Sequence, residues 1–177
     1  MLVEIAIFAG LGLVLDNLSF SMPQGGSASF VMLPIVLMAV RWGLKGGLTT
    51  GFLIGILQIA LAPKIYHWAQ GLIDYGVAFT VVGFAALFTK PLLHKTKLTK
   101  KQMIVWVTIA TIFGGVLRYA AHTVAGAIFF AEYAGDQNPW IYSIAYNATY
   151  MIPAIIMTAV AASLLFSAAP KLLQSKS

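Results

Sequence analysis

The chain has 177 residues, of which 60% are apolar and only 9% charged, with a mean hydropathy of +0.88 and a formal net charge of +6. An ordinary soluble domain carries about 25% charged residues. The composition therefore excludes a water-soluble globular enzyme, a disordered tail and a coiled coil, and the lack of cysteine removes disulfides, thiolate nucleophiles and cysteine metal sites.

A bilayer-spanning helix takes about 20 apolar residues. The length then suits an all-α integral membrane protein: about six transmembrane helices in a compact bundle, forming one membrane domain over residues 1–177. The first predicted helix covers residues 2–15, and it reads as a retained span because it has neither a basic leader nor an A-x-A site. A turn-rich stretch, residues 17–29, holds Pro23-Gln24-Gly25-Gly26. Helices are expected next over residues 28–40, short for a full span, then 44–61 and 66–88. A basic loop, residues 90–101, leads to a long helix over 102–132. A polar turn, residues 133–139, leads to the last helix, 140–166. The two long helices offer Gly114-Gly115 and Pro153 as points where tilt or bending could absorb their excess length.

Charge distribution gives the expected orientation. Arg41, Lys45, Lys90, Lys95, Lys97, Lys100, Lys101, Lys171 and Lys176 fall at one set of helix ends, and only Lys64 at the other. Basic residues collect on the cytoplasmic side. Both termini are thus expected in the cytoplasm of a prokaryotic cell, as a multi-pass protein. The positive charge orients the chain in a lipid bilayer and implies no nucleic-acid partner.

Ionisable residues inside a span are functional candidates by default. Asp74 lies roughly 9 Å below the outer end of its helix at 1.5 Å per residue. His122 lies roughly 15 Å down the next helix, and Asn147 roughly 10 Å down the last. Three helices bring a carboxylate, an imidazole and an amide to similar depth. Trp68, Tyr75, Phe129, Phe130, Trp140, Tyr142, Tyr146 and Tyr150 surround that level. A carboxylate among aromatic faces suits a flat organic cation, through Coulomb and cation–π attraction.

Plainer readings compete with this one. Asp74 could pair with Arg118 in a structural ion pair, and His122 could simply bridge helices. Aromatics near helix ends could form only an interfacial belt. His67 and His94 fall near helix ends or loops, where they are expected to be solvated. His67, Asp74 and His122 lack metal-ligand spacing, so no metal is expected. Gly47, Gly51 and Gly55, like Ala6 and Gly10, form small-residue stripes, which serve close packing within a bundle or docking of another membrane protein. No P-loop, H-E-x-x-H or G-x-S-x-G occurs. A proton-coupled transporter of organic cations, with Asp74 shared between proton and substrate, is the alternative function. An intramembrane enzyme using His122 and Asp74 as acid and base is disfavoured, so no catalytic residue is assigned.

The local sequences then resemble a known family. Val3-Glu4-Ile5-Ala6, Ser21-Met22-Pro23-Gln24-Gly25-Gly26-Ser27, Arg41-Trp42-Gly43, Leu72-Ile73-Asp74-Tyr75, Arg118-Tyr119-Ala120-Ala121-His122 and Trp140-Ile141-Tyr142-Ser143 with Tyr146-Asn147 occur in order across the chain. Together they resemble the thiamine-specific substrate-binding S-component of energy-coupling factor (ECF) vitamin transporters. The resemblance implies high-affinity thiamine binding and uptake, with energy supplied by a separate transmembrane coupling protein and two ABC-type ATPase subunits. It implies no cofactor. Thiamine-binding positions implied by the family are Asp74, Tyr75, His122, Tyr142 and Asn147, with Phe130 where some relatives have Trp. Asp74 stands where some relatives have Glu. Gly25 lies near a position that is Trp in some. The helix 1 motif facing the coupling protein falls on Ala6 and Gly10.

Overall fold

The computed structural model describes residues 1–23, 25–61, 65–89, 92 and 99–170. Gln24, Lys64, His94 and most of the basic loop, including Lys90, Lys95 and Lys97, lie outside the described residues, as do Lys171 and Lys176. Among the described residues the fold is all-α apart from one small hairpin. Its long elements are α1 (Leu2–Asn17), α2 (Met32–Leu61), α3 (Trp68–Phe88), α4 (Lys100–Phe129) and α5 (Pro139–Ala168). The last four are long and apolar enough to cross a membrane.

The expected helices over residues 28–40 and 44–61 join into the single element α2. It is broken at Gly43, whose φ of 65° and ψ of −153° are non-helical. That backbone region is essentially restricted to glycine, so Gly43 lets the chain bend where a side chain would resist. The break is tied to α1. Glu4 accepts two hydrogen bonds from Arg41, at 2.9 Å from Nε and 3.0 Å from Nη2, and a third from Trp42 Nε1 at 3.0 Å.

The arm before the break is apolar on every side, and a helix of that kind belongs in an interior. Residues Met32 and Ile35 through Val40 are almost wholly buried. After the break, Gly47, Gly51 and Gly55 lie against the backbones of Gly83, Phe79 and Tyr75 in turn. Each step of four forward on α2 meets a step of four backward on α3, so the two run antiparallel in close approach. This glycine stripe is internal packing. Ala6 is exposed, and a Cβ built on Gly10 would meet nothing within 4 Å. The α1 stripe faces outward, while Ala9 and Gly12 make the inward contact with α2.

Local signals account for the helix starts. Thr99 and Gln102 form a capping box with two 3.2 Å bonds, which begins α4 earlier than residue 102. Asn138 caps α5, with Pro139 at its first turn. Both helices stay continuous past Gly114-Gly115 and Pro153. The turn-rich stretch before α2 contains a hairpin, β1 (Phe20–Ser21) with β2 (Ser27–Ala28), that the sequence pattern did not suggest. Its strands are two residues long, too short for alternation to register.

Candidate functional site

The C-terminal ends of α1 and α2, together with α3, α4 and α5, surround a cavity of about 830 Å³. Small-molecule sites typically span about 300–1,000 Å³. Asp74, Tyr75, His122, Phe130, Tyr142 and Asn147 all line it. So do Tyr146, Tyr150 and Arg118, and the hairpin forms part of its wall through Ser21, Pro23, Gly25, Gly26 and Ser27.

Asp74 and Tyr75 lie in a π-helical turn, Leu72–Val77, inside α3. Such wide turns are rare and recur at functional sites. More residues per turn means a smaller rotation between neighbours, so two consecutive side chains reach one cavity. Thr80 Oγ1 donates to the Gly76 carbonyl at 2.6 Å, one of the local bonds around the wide turn.

A line of polar groups crosses the cavity wall. Gln70 Nε2 donates to Asp74 Oδ2 at 2.7 Å. Asp74 Oδ1 lies 2.8 Å from His122 Nδ1. Arg118 Nε donates to His122 Nε2 at 3.2 Å. The direct Asp74–Arg118 pair considered from spacing is thus replaced by a pairing in which His122 stands between them. The Arg118 guanidinium is buried and sits 4.3 Å from the centre of the Phe79 ring.

Asn147 is also buried. Its amide nitrogen donates to the Ser143 carbonyl at 2.8 Å and lies 3.0 Å from Ser143 Oγ. Its oxygen accepts from the Tyr150 hydroxyl. This network holds the amide at one orientation on α5, beside the α4 backbone that Ser143 Oγ reaches at Thr123 O, 2.8 Å away.

The aromatic residues divide. Trp68 and Trp140 are largely exposed, as an interfacial belt requires. Tyr142 and Tyr146 stack with centroids 6.0 Å apart and planes 13° apart, and both line the cavity. Phe130 meets Tyr66 edge-to-face at 5.6 Å, and both line it too. His67 is exposed, caps α3 through Nδ1 and stacks on Phe129 at 5.0 Å. The hairpin is docked on α5: Tyr146 OH donates to Gly25 O at 2.9 Å, and Gly26 lies flush against the Tyr150 ring.

Sequence reasoning missed Asp16. Helix α1 runs two residues past its expected end, which carries Asp16 to the cavity. There Asp16 accepts from Ser29 Oγ at 2.8 Å and from Gln58 Nε2 at 3.0 Å. The available signal was an acidic residue at the outer boundary of an apolar run, between the expected helix and the turn-rich stretch. Two carboxylates, Asp16 and Asp74, and one guanidinium, Arg118, are the charged side chains among the described cavity residues.

Comparison with known proteins agrees over the whole length. A family model described as thiamine transporter protein matches residues 2–174. The thiamine transporter ThiT of Bacillus subtilis is 47% identical over 180 residues, covering 98% of this chain and 94% of that protein. A thiamine transporter ThiT of Lacticaseibacillus paracasei is 28% identical, covering 99% and 91%. The solved structure of ThiT from Listeria monocytogenes superposes with a TM-score of 0.89 at 29% identity, covering 98% of this chain and 96% of that one.

Proposed function

The chain belongs to the thiamine transporter protein family, and from that premise we propose that its cavity is the site at which thiamine is captured. It is a multi-pass membrane transport protein and not an enzyme. The observation that carries the site reading is the cavity lined by two carboxylates, one guanidinium and several aromatic rings. Thiamine is an organic monocation with two flat heteroaromatic rings joined by a methylene, and its size and charge suit that lining.

In this reading Asp74 balances the cation and accepts from the aminopyrimidine. Phe130 and His122 flank the thiazolium. Tyr142 and Asn147 meet the pyrimidine edge, and Tyr75 meets the hydroxyethyl end or Asp74. Asn147 brings an amide already oriented by Ser143 and Tyr150, so little rotational freedom is lost on binding. Asp16 adds a second carboxylate to the cavity lining. The hairpin, docked through Gly25, is the gate.

The transport cycle assigned here is that of an S-component. The membrane domain crosses the bilayer six times, counting the two arms of α2 separately, with both termini cytoplasmic. A transmembrane coupling protein and two ABC-type ATPases supply energy, consistent with a sequence that has no P-loop. Ala6 and Gly10, on the outward face of α1, form the docking stripe for that coupling protein.

Titration of the purified protein with thiamine, using riboflavin and biotin as controls, tests the site. Saturable binding of thiamine alone at or below micromolar concentration is the expected result. Absence of thiamine binding at that concentration overturns the proposal. In liposomes the protein alone should bind without sustained uptake; cation movement driven by a pH gradient would instead establish proton coupling.

A further inference from the structure

The two ring nitrogens of His122 face different partners, and their chemistry settles where the proton sits. Arg118 Nε carries a hydrogen and has no lone pair to accept with. It points at His122 Nε2 from 3.2 Å, so Nε2 must be the acceptor. Nδ1 lies 2.8 Å from Asp74 Oδ1, and a carboxylate accepts, so Nδ1 must carry the proton. An imidazolium would set two N–H groups against each other at Nε2. Among the described residues, Tyr150 also meets the imidazole edge, at 6.0 Å, and its hydroxyl is engaged with Asn147.

We infer that Arg118 is a positioning residue that fixes His122 as the neutral imidazole protonated on Nδ1, so that the ring offers a ligand its face and neither nitrogen. Arg118 is suited to this because it does not deprotonate. It is also immobilised: its residue is buried, one turn before His122 on the same helix, with its guanidinium over the Phe79 ring. The consequence for recognition is specific. A neutral aromatic face attracts a cation, whereas an imidazolium would repel it. Cation selectivity at this wall thus depends on a buried cation behind it, which at first sight opposes it. This inference rests on the thiamine reading only for the identity of the ligand.

The experiment is nitrogen NMR of histidine-labelled, ligand-free protein, with the His122 signals assigned by loss in His122→Gln. The expected spectrum has a protonated Nδ1 and an unprotonated Nε2. Arg118→Met leaves Nδ1–H on Asp74 and frees Nε2 to protonate, so it should convert this to a mixture containing imidazolium, and should weaken thiamine affinity by about tenfold or more. Arg118→Lys keeps a cationic donor and should retain the Nδ1–H signature. An imidazolium or an Nε2–H tautomer in the wild-type protein at neutral pH overturns the inference, and so does an unchanged spectrum in Arg118→Met. A lysine variant whose spectrum matches that of the methionine variant also overturns it. Because the spectra are recorded without ligand, a protein with the Nδ1–H signature that fails to bind thiamine contradicts only the proposed function.

Discussion

Asp74 and His122 meet at 2.8 Å, Oδ1 to Nδ1, across 48 residues of chain. The contact joins α3 to α4 at the cavity wall, with the carboxylate and imidazole both mostly withdrawn from solvent. A charge held there must be matched by a partner, because desolvation makes an unmatched one costly. Asp74 meets that condition with Gln70 and His122, while the thiamine reading adds the cationic ligand as a further partner.

Asp74→Asn removes the charge and keeps the shape. A hydrogen bond to a charged group contributes about 1.5–3 kcal/mol, so thiamine affinity should fall by roughly 10- to 100-fold. Isothermal calorimetry measures this directly. Unchanged affinity would assign Asp74 to interhelical pairing alone.

Tyr146→Phe deletes the hydroxyl that holds Gly25 O and leaves the ring stacked on Tyr142. A neutral hydrogen bond contributes about 0.5–1.5 kcal/mol. If the hairpin is the gate, thiamine should dissociate about two- to tenfold faster. Stopped-flow fluorescence separates the rates; an unaltered dissociation rate argues that the hairpin does not control exit.

Gly43→Ala puts a Cβ where φ is 65° and ψ is −153°. Backbone strain of this kind costs about 1–3 kcal/mol. The melting temperature in detergent should drop, and the loss should be non-additive with Glu4→Gln, since Glu4 binds Arg41 and Trp42 beside the break. Thermal stability equal to wild type would show that the bend tolerates a side chain.

Ala6→Trp enlarges the outward stripe of α1 without touching the cavity. Thiamine binding should be retained and uptake in the assembled transporter abolished. Binding loss would mean that the Ala6 face of α1 packs inside the bundle; uptake at wild-type rate would place the coupling protein on another face.

The membrane class, the polar positions and the helical outline were legible because they follow from local properties. Apolar runs must be long enough for a bilayer, and a charged or polar residue inside one stands out against them. Asp74, His122 and Asn147 were found this way, and all line one cavity. Asp16 was not, since an acidic residue at the edge of a run looks like loop until α1 is seen to continue through it. The bend at Gly43 falls in the gap expected between the helices over residues 28–40 and 44–61, whereas the π turn at Leu72–Val77 was hidden. That turn replaces regular helix hydrogen bonding without altering the hydropathy pattern.

From the sequence alone came an all-α membrane protein, its scarce intramembrane polar groups and the family resemblance. Composition and spacing are sums over single residues or neighbours, and they survive without knowledge of the packing. Pairing is different in kind. That His122 separates Asp74 from Arg118, that the α2 glycines face α3 while Ala6 and Gly10 face outward, and that the hairpin rests on Tyr146 all depend on which helix lies beside which. Those neighbours are chosen by the packing of the whole bundle, where close backbone approach at glycine and satisfied buried polar groups must hold simultaneously.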